Sequence, residues 1–372
     1  MSTGVYKSPR RQDITFEEKD QSLRDDVRTL GTMVGDLIRE QNGPELFELV
    51  ETARLRAIRR REGNEKPGEE LSALVGELDP ETASQLIRGF STYFQMVNTA
   101  EKVHRIRRRR DYLRDVRVYQ PGGLEDSLIK LKASGKTIDD VQALLNSMSI
   151  EPVFTAHPTE STRRTMLRKE QNIVKHLVDL LNPTMTPQET TAALQNIRLL
   201  ATTGWQTAEH SAEDMTVADE LEHVLFFITD VLYRAMPPFY EDIRAAVDRI
   251  YGEEAKHLEI PNIVNFGSWV GGDMDGNPAV GAETIRATLE RQLEVVIDRY
   301  REEIVELFGH LSQSRSRVGA SETIVALIDD YSERFPDAYA SVPRRYADMP
   351  YRLALQGIHA RLGATRAGDA DS

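Results

Sequence analysis

The sequence predicts a predominantly α-helical α/β protein, and three observations predict it. Apolar residues recur at three- and four-residue intervals through most of the chain, the spacing of a helix's buried face. Threonine or aspartate repeatedly stands just ahead of a proline or three residues ahead of an acid, the arrangement that starts helices. Only two short apolar runs, Pro152–Phe154 and Ile263–Phe266, have the length of buried strands, and each feeds a loop crowded with polar groups.

Composition narrows the function. At 372 residues, 40% apolar and 29% charged, the chain has the balance of a globular protein with ample core. A net charge of −13 opposes general attraction to nucleic acid or to anionic membranes. No apolar run approaches the roughly 18 residues that span a bilayer, and the opening MSTGVYKSPRRQD lacks the apolar centre of a signal peptide. Without cysteine there is no disulfide, reactive thiol or thiolate metal site. A cytoplasmic protein is expected.

In chain order, Leu23, Val27, Leu30, Val34, Leu37 and Ile38 mark a first helix, and Leu46, Leu49, Val50, Ala53 and Ala57 a second beyond the Asn42-Gly43-Pro44 break. Glu62–Glu70 reads as a surface connection. Asp79-Pro80 starts a third helix with Leu86, Ile87, Phe90, Phe94 and Val97 on its apolar face, running into the basic stretch His104–Arg110. That stretch suits either a phosphate-binding patch or a solvated face neutralised by the protein's carboxylates. Gln120–Gly123 breaks the chain before a helical pair whose second member is capped by Thr137 and Asp140, with Ile138, Val141, Leu144 and Leu145 facing inward. Thr186-Pro187 opens a helix through Leu194, Ile197 and Leu200. Thr216 with Asp219 opens another that should stop at Pro237-Pro238, with His223 on its surface. Ile285, Leu289, Leu293, Val296, Ile297 and Ile304 mark the helix that follows the second strand.

The two loops carry the chemistry. In EPVFTAHPTESTRRTMLRKE a strand ends at His157, held extended by Pro158, and polar residues then supply caps for a basic helix. Strand, histidine and helix make a βα loop, the usual seat of catalysis in α/β barrels. Helix N-termini favour anions, and Arg163, Arg164 and Arg168 add positive charge, so an anionic substrate fits. In IVNFGSWVGGDMDGNP, glycines permit close backbone approach, and Asp273, Asp275 and Asn277 suit either a hard cation or an Asx-rich turn. The closing glutamate of an EF-hand is missing.

Thr155–Glu160 with Ser161-Thr162-Arg163-Arg164 resembles the first signature of phosphoenolpyruvate carboxylases, and Gly267-Ser268-Trp269 through Pro278 resembles the second. SLRDDVRTLGTMVGDLI, FSTYFQMVNTAEKVHRIRRRR and MPYRLALQGIHARLGAT resemble helices of the same family, so the likeness runs from about Ser22 to Thr365. It loosens near Ala208 and His210, where acidic and basic residues are expected. Met274 also departs, standing where the family commonly has arginine.

The resemblance implies an amino-terminal helical region over residues 1–150, then over 151–372 the first part of a catalytic TIM-like (β/α)8 barrel with long helical insertions, incomplete in this chain. It implies the carboxylation of phosphoenolpyruvate by bicarbonate to oxaloacetate and phosphate, an anaplerotic carbon-fixing lyase reaction. His157 would be catalytic, Arg163, Arg164 and Trp269 would meet substrate, and no metal ligand would come from this chain. Mg2+ or Mn2+ would be held by acids of the family's carboxyl-terminal half, which also brings the remaining strands and a glycine-arginine loop. Family members are tetramers and far longer, so a truncated carboxylase, or a split one completed by a separate carboxyl-terminal half, is expected. The other reading is a non-catalytic remnant that binds or regulates an intact carboxylase.

Overall fold

The structure, a computed structural model, describes residues 17–62, 66–115, 117–155, 163–208, 215–274 and 278–369. Helices dominate it. The first six are α1 Gln21–Asn42, α2 Pro44–Arg61, α3 Lys66–Gly76, α4 Pro80–Arg114, α5 Leu124–Ala133 and α6 Ile138–Ser147. Strand β1, Val153–Phe154, leads to α7 Arg164–Asp179, α8 Pro187–Trp205, α9 Val217–Phe226 and α10 Tyr233–Tyr251. Strand β2, Gly267–Ser268, leads to α11 Ala282–His310, α12 Arg315–Val318, α13 Glu322–Arg334, α14 Pro336–Ala340 and α15 Pro350–Arg366. Two compact units result: Met1–Ser127 with Thr162–Ala212, and Leu128–Ser161 with Glu213–Ser372.

Among the described residues the first unit contains helices and no strand. Leu30, Val34, Leu37 and Ile38 of α1 are buried with Met96, Ala100 and Val103 of α4, Ile173 and Leu177 of α7, and Ile197, Ala201 and Trp205 of α8. The Asp79 carboxylate caps α4, accepting from the Glu81 and Thr82 amides at 3.0 Å, and Thr186 with Glu189 closes a capping box at α8. Two expectations change here. Lys66–Glu70 begin α3, because Pro67 and Gly68 fall in its first turn, where a missing amide costs nothing. On α4 the buried stripe is Leu86, Gly89, Met96, Ala100 and Val103, while Ile87 and Phe94 are exposed. Gly89 decides this: a Cβ there would lie 3.0 Å from Val50 Cγ2, so α2 and α4 meet where no side chain intervenes. In the basic stretch, Arg107 donates to Asp26 at 2.8 Å and to Ser22 at 3.0 Å, as a neutralised face requires.

The second unit buries Val141, Leu145, Ile243, Val247, Tyr251 and Ile263 together. Thr137 and Asp140 form the expected capping box, though Leu144 is exposed. Thr216 and Asp219 cap α9, but the helix does not stop at Pro237-Pro238. A π-helical stretch, Phe227–Leu232, joins α9 to α10, and both prolines lie inside α10. The register change falls just ahead of the first turns of α10, whose bonds to the Tyr233 and Arg234 carbonyls Pro237 and Pro238 cannot make. On α11 the buried residues are Thr288, Ile297 and Ile304, whereas Leu289 and Leu293 are exposed.

The two strands form a parallel pair, Val153 opposite Gly267 and Phe154 opposite Ser268, with a bridge from Ile150 to Val264. Residue i thus faces i+114 throughout. Pairing therefore reaches past the expected strand Ile263–Phe266 to its carboxyl side. The Tyr240 hydroxyl fixes the entry, accepting from the Ile263 and Val264 amides at 3.0 and 3.2 Å.

Candidate active site

The two loop-bearing segments are neighbours. Ile150 N–H donates to Ile263 O, Asn265 N–H to Ile150 O, Gly267 N–H to Pro152 O and Trp269 N–H to Phe154 O, all within 2.8–3.0 Å. Because the strands are parallel, both chains leave the sheet at the same, carboxyl edge. At such an edge loops from different strands converge, which is where open α/β sheets and barrels bind ligands.

Beyond Trp269 the backbone turns at once. The amides of Gly272 and Asp273 both donate to the Trp269 carbonyl, at 3.0 and 2.9 Å. Gly271 adopts φ +78°, and a Cβ on it would sit 2.2 Å from Thr288 Oγ1 of α11. Only glycine allows both the left-handed backbone and the contact. Val270 is buried with Leu221, Val224 and Leu225 of α9, so side chains alternate and Trp269 faces out, 58% exposed. Asp273 and Met274 are exposed beside it.

Aromatic packing ties α9 to the end of β1. Phe154 stacks on Phe227 with ring centroids 6.5 Å apart, and Phe227 meets His223 edge-on at 5.1 Å. His223 is therefore half-buried, not a surface residue, and burial holds its imidazole below the usual histidine pKa. The i, i+4 spacing of His223 and Phe227 was the signal in the sequence that could have placed it there. Glu222, one residue earlier, accepts from Arg291 of α11, which also reaches Glu294 at 3.1 Å.

Of the candidate residues, Trp269 and Asp273 stand at the carboxyl edge of the sheet, and the chain from β1 can be followed to Thr155. His157, Asp275 and Asn277 lie outside the described residues. Arg163 and Arg164 belong to the other unit, at the start of α7. Arg163 occupies the N-cap position with no side-chain cap, in place of the hydroxyl or acid expected there. Among the described residues no group of three or more histidines and acids could hold a metal ion. No helix among them is long and apolar enough to cross a membrane.

The sequence model of the family described as phosphoenolpyruvate carboxylase matches residues 23–371. A protein of Xanthomonas campestris pv. campestris (strain 8004), named phosphoenolpyruvate carboxylase, is 48% identical over 356 residues, which is 95% of this chain and 39% of that protein. Proteins of the same name from Azorhizobium caulinodans and Ralstonia nicotianae are each 35% identical, over 98% of this chain and 38% and 36% of their own lengths. The chain thus spans about two fifths of the length of the curated relatives it matches.

Proposed function

The chain belongs to the phosphoenolpyruvate carboxylase family, and from that premise we propose that it carries the amino-terminal share of a carboxylase site built on a TIM-like barrel. The observation that supports this reading is the parallel pairing of β1 with β2, which sends both signature loops off one sheet edge. Residues 1–150 are proposed as the helical region and 151–372 as the first part of the barrel. The remaining strands would come from chain equivalent to the rest of the relatives' length, on the same polypeptide or a second one.

In the proposed reaction a bicarbonate oxygen attacks the phosphorus of phosphoenolpyruvate. A new O–P bond forms, the bond from phosphorus to the enol oxygen breaks, and carboxyphosphate and the enolate of pyruvate result. His157 takes the carboxyl proton of carboxyphosphate, which then parts into carbon dioxide and inorganic phosphate. The enolate carbon bonds to carbon dioxide and gives oxaloacetate. Histidine suits the step because its pKa lies close to neutrality. Arg163 and Arg164 are assigned to the anionic groups of the substrates, since guanidinium forks match phosphate and carboxylate. The exposed face of Trp269 walls the pocket, and Asp273, Asp275 and Asn277 shape its loop. With Met274 in place of arginine, either another arginine serves the anion there or this site differs from the family's. On the family reading, magnesium or manganese is assigned to acids of the portion equivalent to the relatives' carboxyl-terminal half. A cytoplasmic homotetramer is the proposed setting.

The test is oxaloacetate formation from phosphoenolpyruvate, bicarbonate and magnesium, with the chain mixed with the carboxyl-terminal portion of the Xanthomonas relative. Activity is expected on mixing and should vanish in His157→Asn. A folded mixture that stays silent, or a His157→Asn variant that keeps its rate, overturns the proposal.

A further inference from the structure

The helical unit contains a cavity of about 140 Å³ between α4, α7 and α8 that the carboxylase reading does not use. Its floor is apolar, made by Met96, Ile173 and Trp205, all buried. Its rim is charged, with Arg88 from α4 and Lys169 from α7. Thr92, Gln95, Thr99 and Thr207 also line it, so apolar and polar groups converge on one small chamber.

The rim charges are unusual for this protein. With 60 acidic against 47 basic residues, carboxylates are in excess. Yet among the described residues neither Arg88 nor Lys169 has a carboxylate partner. The Arg88 guanidinium instead lies over the indole of Trp205, 4.6 Å from the ring centroid, which leaves its N–H edge for an acceptor. The one acid on the rim, Glu170, is already bonded to Lys102. Two cations therefore border a chamber with an apolar floor in an acidic protein.

The wall at Gly204 points the same way. A Cβ there would meet only Met166 Cε at 3.7 Å and Lys169 Cδ at 3.9 Å, ordinary contacts, and no positive φ demands glycine. Gly204 is the penultimate residue of α8, and the missing side chain there leaves that wall of the cavity open.

We propose that this cavity binds a small organic acid. Its carboxylate is held by Arg88 and Lys169, and its apolar body rests on Met96, Ile173 and Trp205. The body has roughly six to eight non-hydrogen atoms, since a dry cavity of about 150 Å³ takes a benzene ring.

The chain has two tryptophans, so Trp269→Phe leaves Trp205 as the sole fluorescent reporter, inside the cavity. Benzoate, benzyl alcohol and inorganic phosphate are the probes: the whole ligand, its apolar half and its anionic half. Benzoate should change the Trp205 emission saturably and bind about tenfold or more tighter than either half, as charge-assisted hydrogen bonds imply. Lys169→Gln and Arg88→Gln should each weaken benzoate severalfold and leave benzyl alcohol unaffected. Gly204→Leu should abolish binding of both aromatic probes while the helical circular dichroism is kept. Equal affinity for benzoate and benzyl alcohol would mean a mere apolar void, and phosphate binding as tightly would mean a surface anion contact; either overturns the proposal. So does the absence of any saturable change. None of the cavity residues belongs to the proposed carboxylase site, and Trp269→Phe serves only the binding assay, so this result and the carboxylation assay, run with Trp269 in place, stand or fall separately.

Discussion

Gly271→Ala is the sharpest test of how the signature loop is held. The residue has φ +78°, and an added Cβ would lie 2.2 Å from Thr288 Oγ1, 3.0 Å from its Cγ2 and 3.1 Å from its Cβ. Left-handed backbone costs an L-residue roughly 1–2 kcal/mol. Overpacking beside Thr288, itself buried inside α11, adds about 1–3 kcal/mol. The two terms are separable, so the variant should lose about 2–5 kcal/mol in all. Urea unfolding followed by circular dichroism measures it. Ile263→Ala, which empties a site 2% exposed in the same unit's core, identifies that unit's transition. In the double variant with Thr288→Ala, the contacts with Oγ1 and Cγ2 go while that with the retained Cβ stays, so most of the packing part should return and the backbone part, about 1–2 kcal/mol, remain after the single Thr288→Ala effect is subtracted. A loss for Gly271→Ala below about 1 kcal/mol, or no recovery on removing the threonine branches, would refute the reasoning.

Other consequences are as direct. The cap residues Asp79, Asp140 and Asp219 accept hydrogen bonds that hold their carboxyls below the usual value of 3.8, and Glu189 is held below 4.5. A depressed acid stabilises the fold above its unfolded pKa and loses that contribution as pH falls through the folded one. Stability should thus decline below about pH 4, and Asp219→Asn should flatten part of that decline in acid titrations of α9. Burial lowers the pKa of His223, so its ring should titrate below 6.5 by nuclear magnetic resonance. Acid should then favour unfolding below pH 6.5, a slope that His223→Phe removes. Gly89→Leu should destabilise the helical unit by about 1–3 kcal/mol in urea, because Val50 and Ile38 lie 3.0 and 3.4 Å from any Cβ there.

Much of this was legible in the sequence where a local rule decides the outcome. Thr137, Thr186 and Thr216 each cap a helix where the threonine and the acid three residues on require it, since the whole motif lies within four residues. The strand before His157 and the glycine turn after Trp269 were readable for the same reason. What failed depends on partners distant in sequence. Leu86, Ile87, Phe90, Phe94 and Val97 all qualify as an apolar face, and the contact of Gly89 with α2 selects among them. Pro237-Pro238 is a stop signal only in a regular helix, and the π stretch before it is a property of packing, not of any local motif. His223 was misjudged because weight was given to Asp219, Glu220 and Glu222 before it, while its neighbour in space is Phe227 one turn on.

The constant offset between β1 and β2 also bears on how the protein folds. Each strand residue must find a partner 114 positions away, and the chain between them passes through α7 and α8 of the other unit. Each doubling of a loop costs about 0.6 kcal/mol of closure entropy, so this pairing starts about 2 kcal/mol behind a ten-residue hairpin. Two short strands recover little of that by themselves. Pairing of β1 with β2 should therefore be a late event. It follows the assembly of the local helices, and its rate is set by chain topology more than by the loops' own sequence.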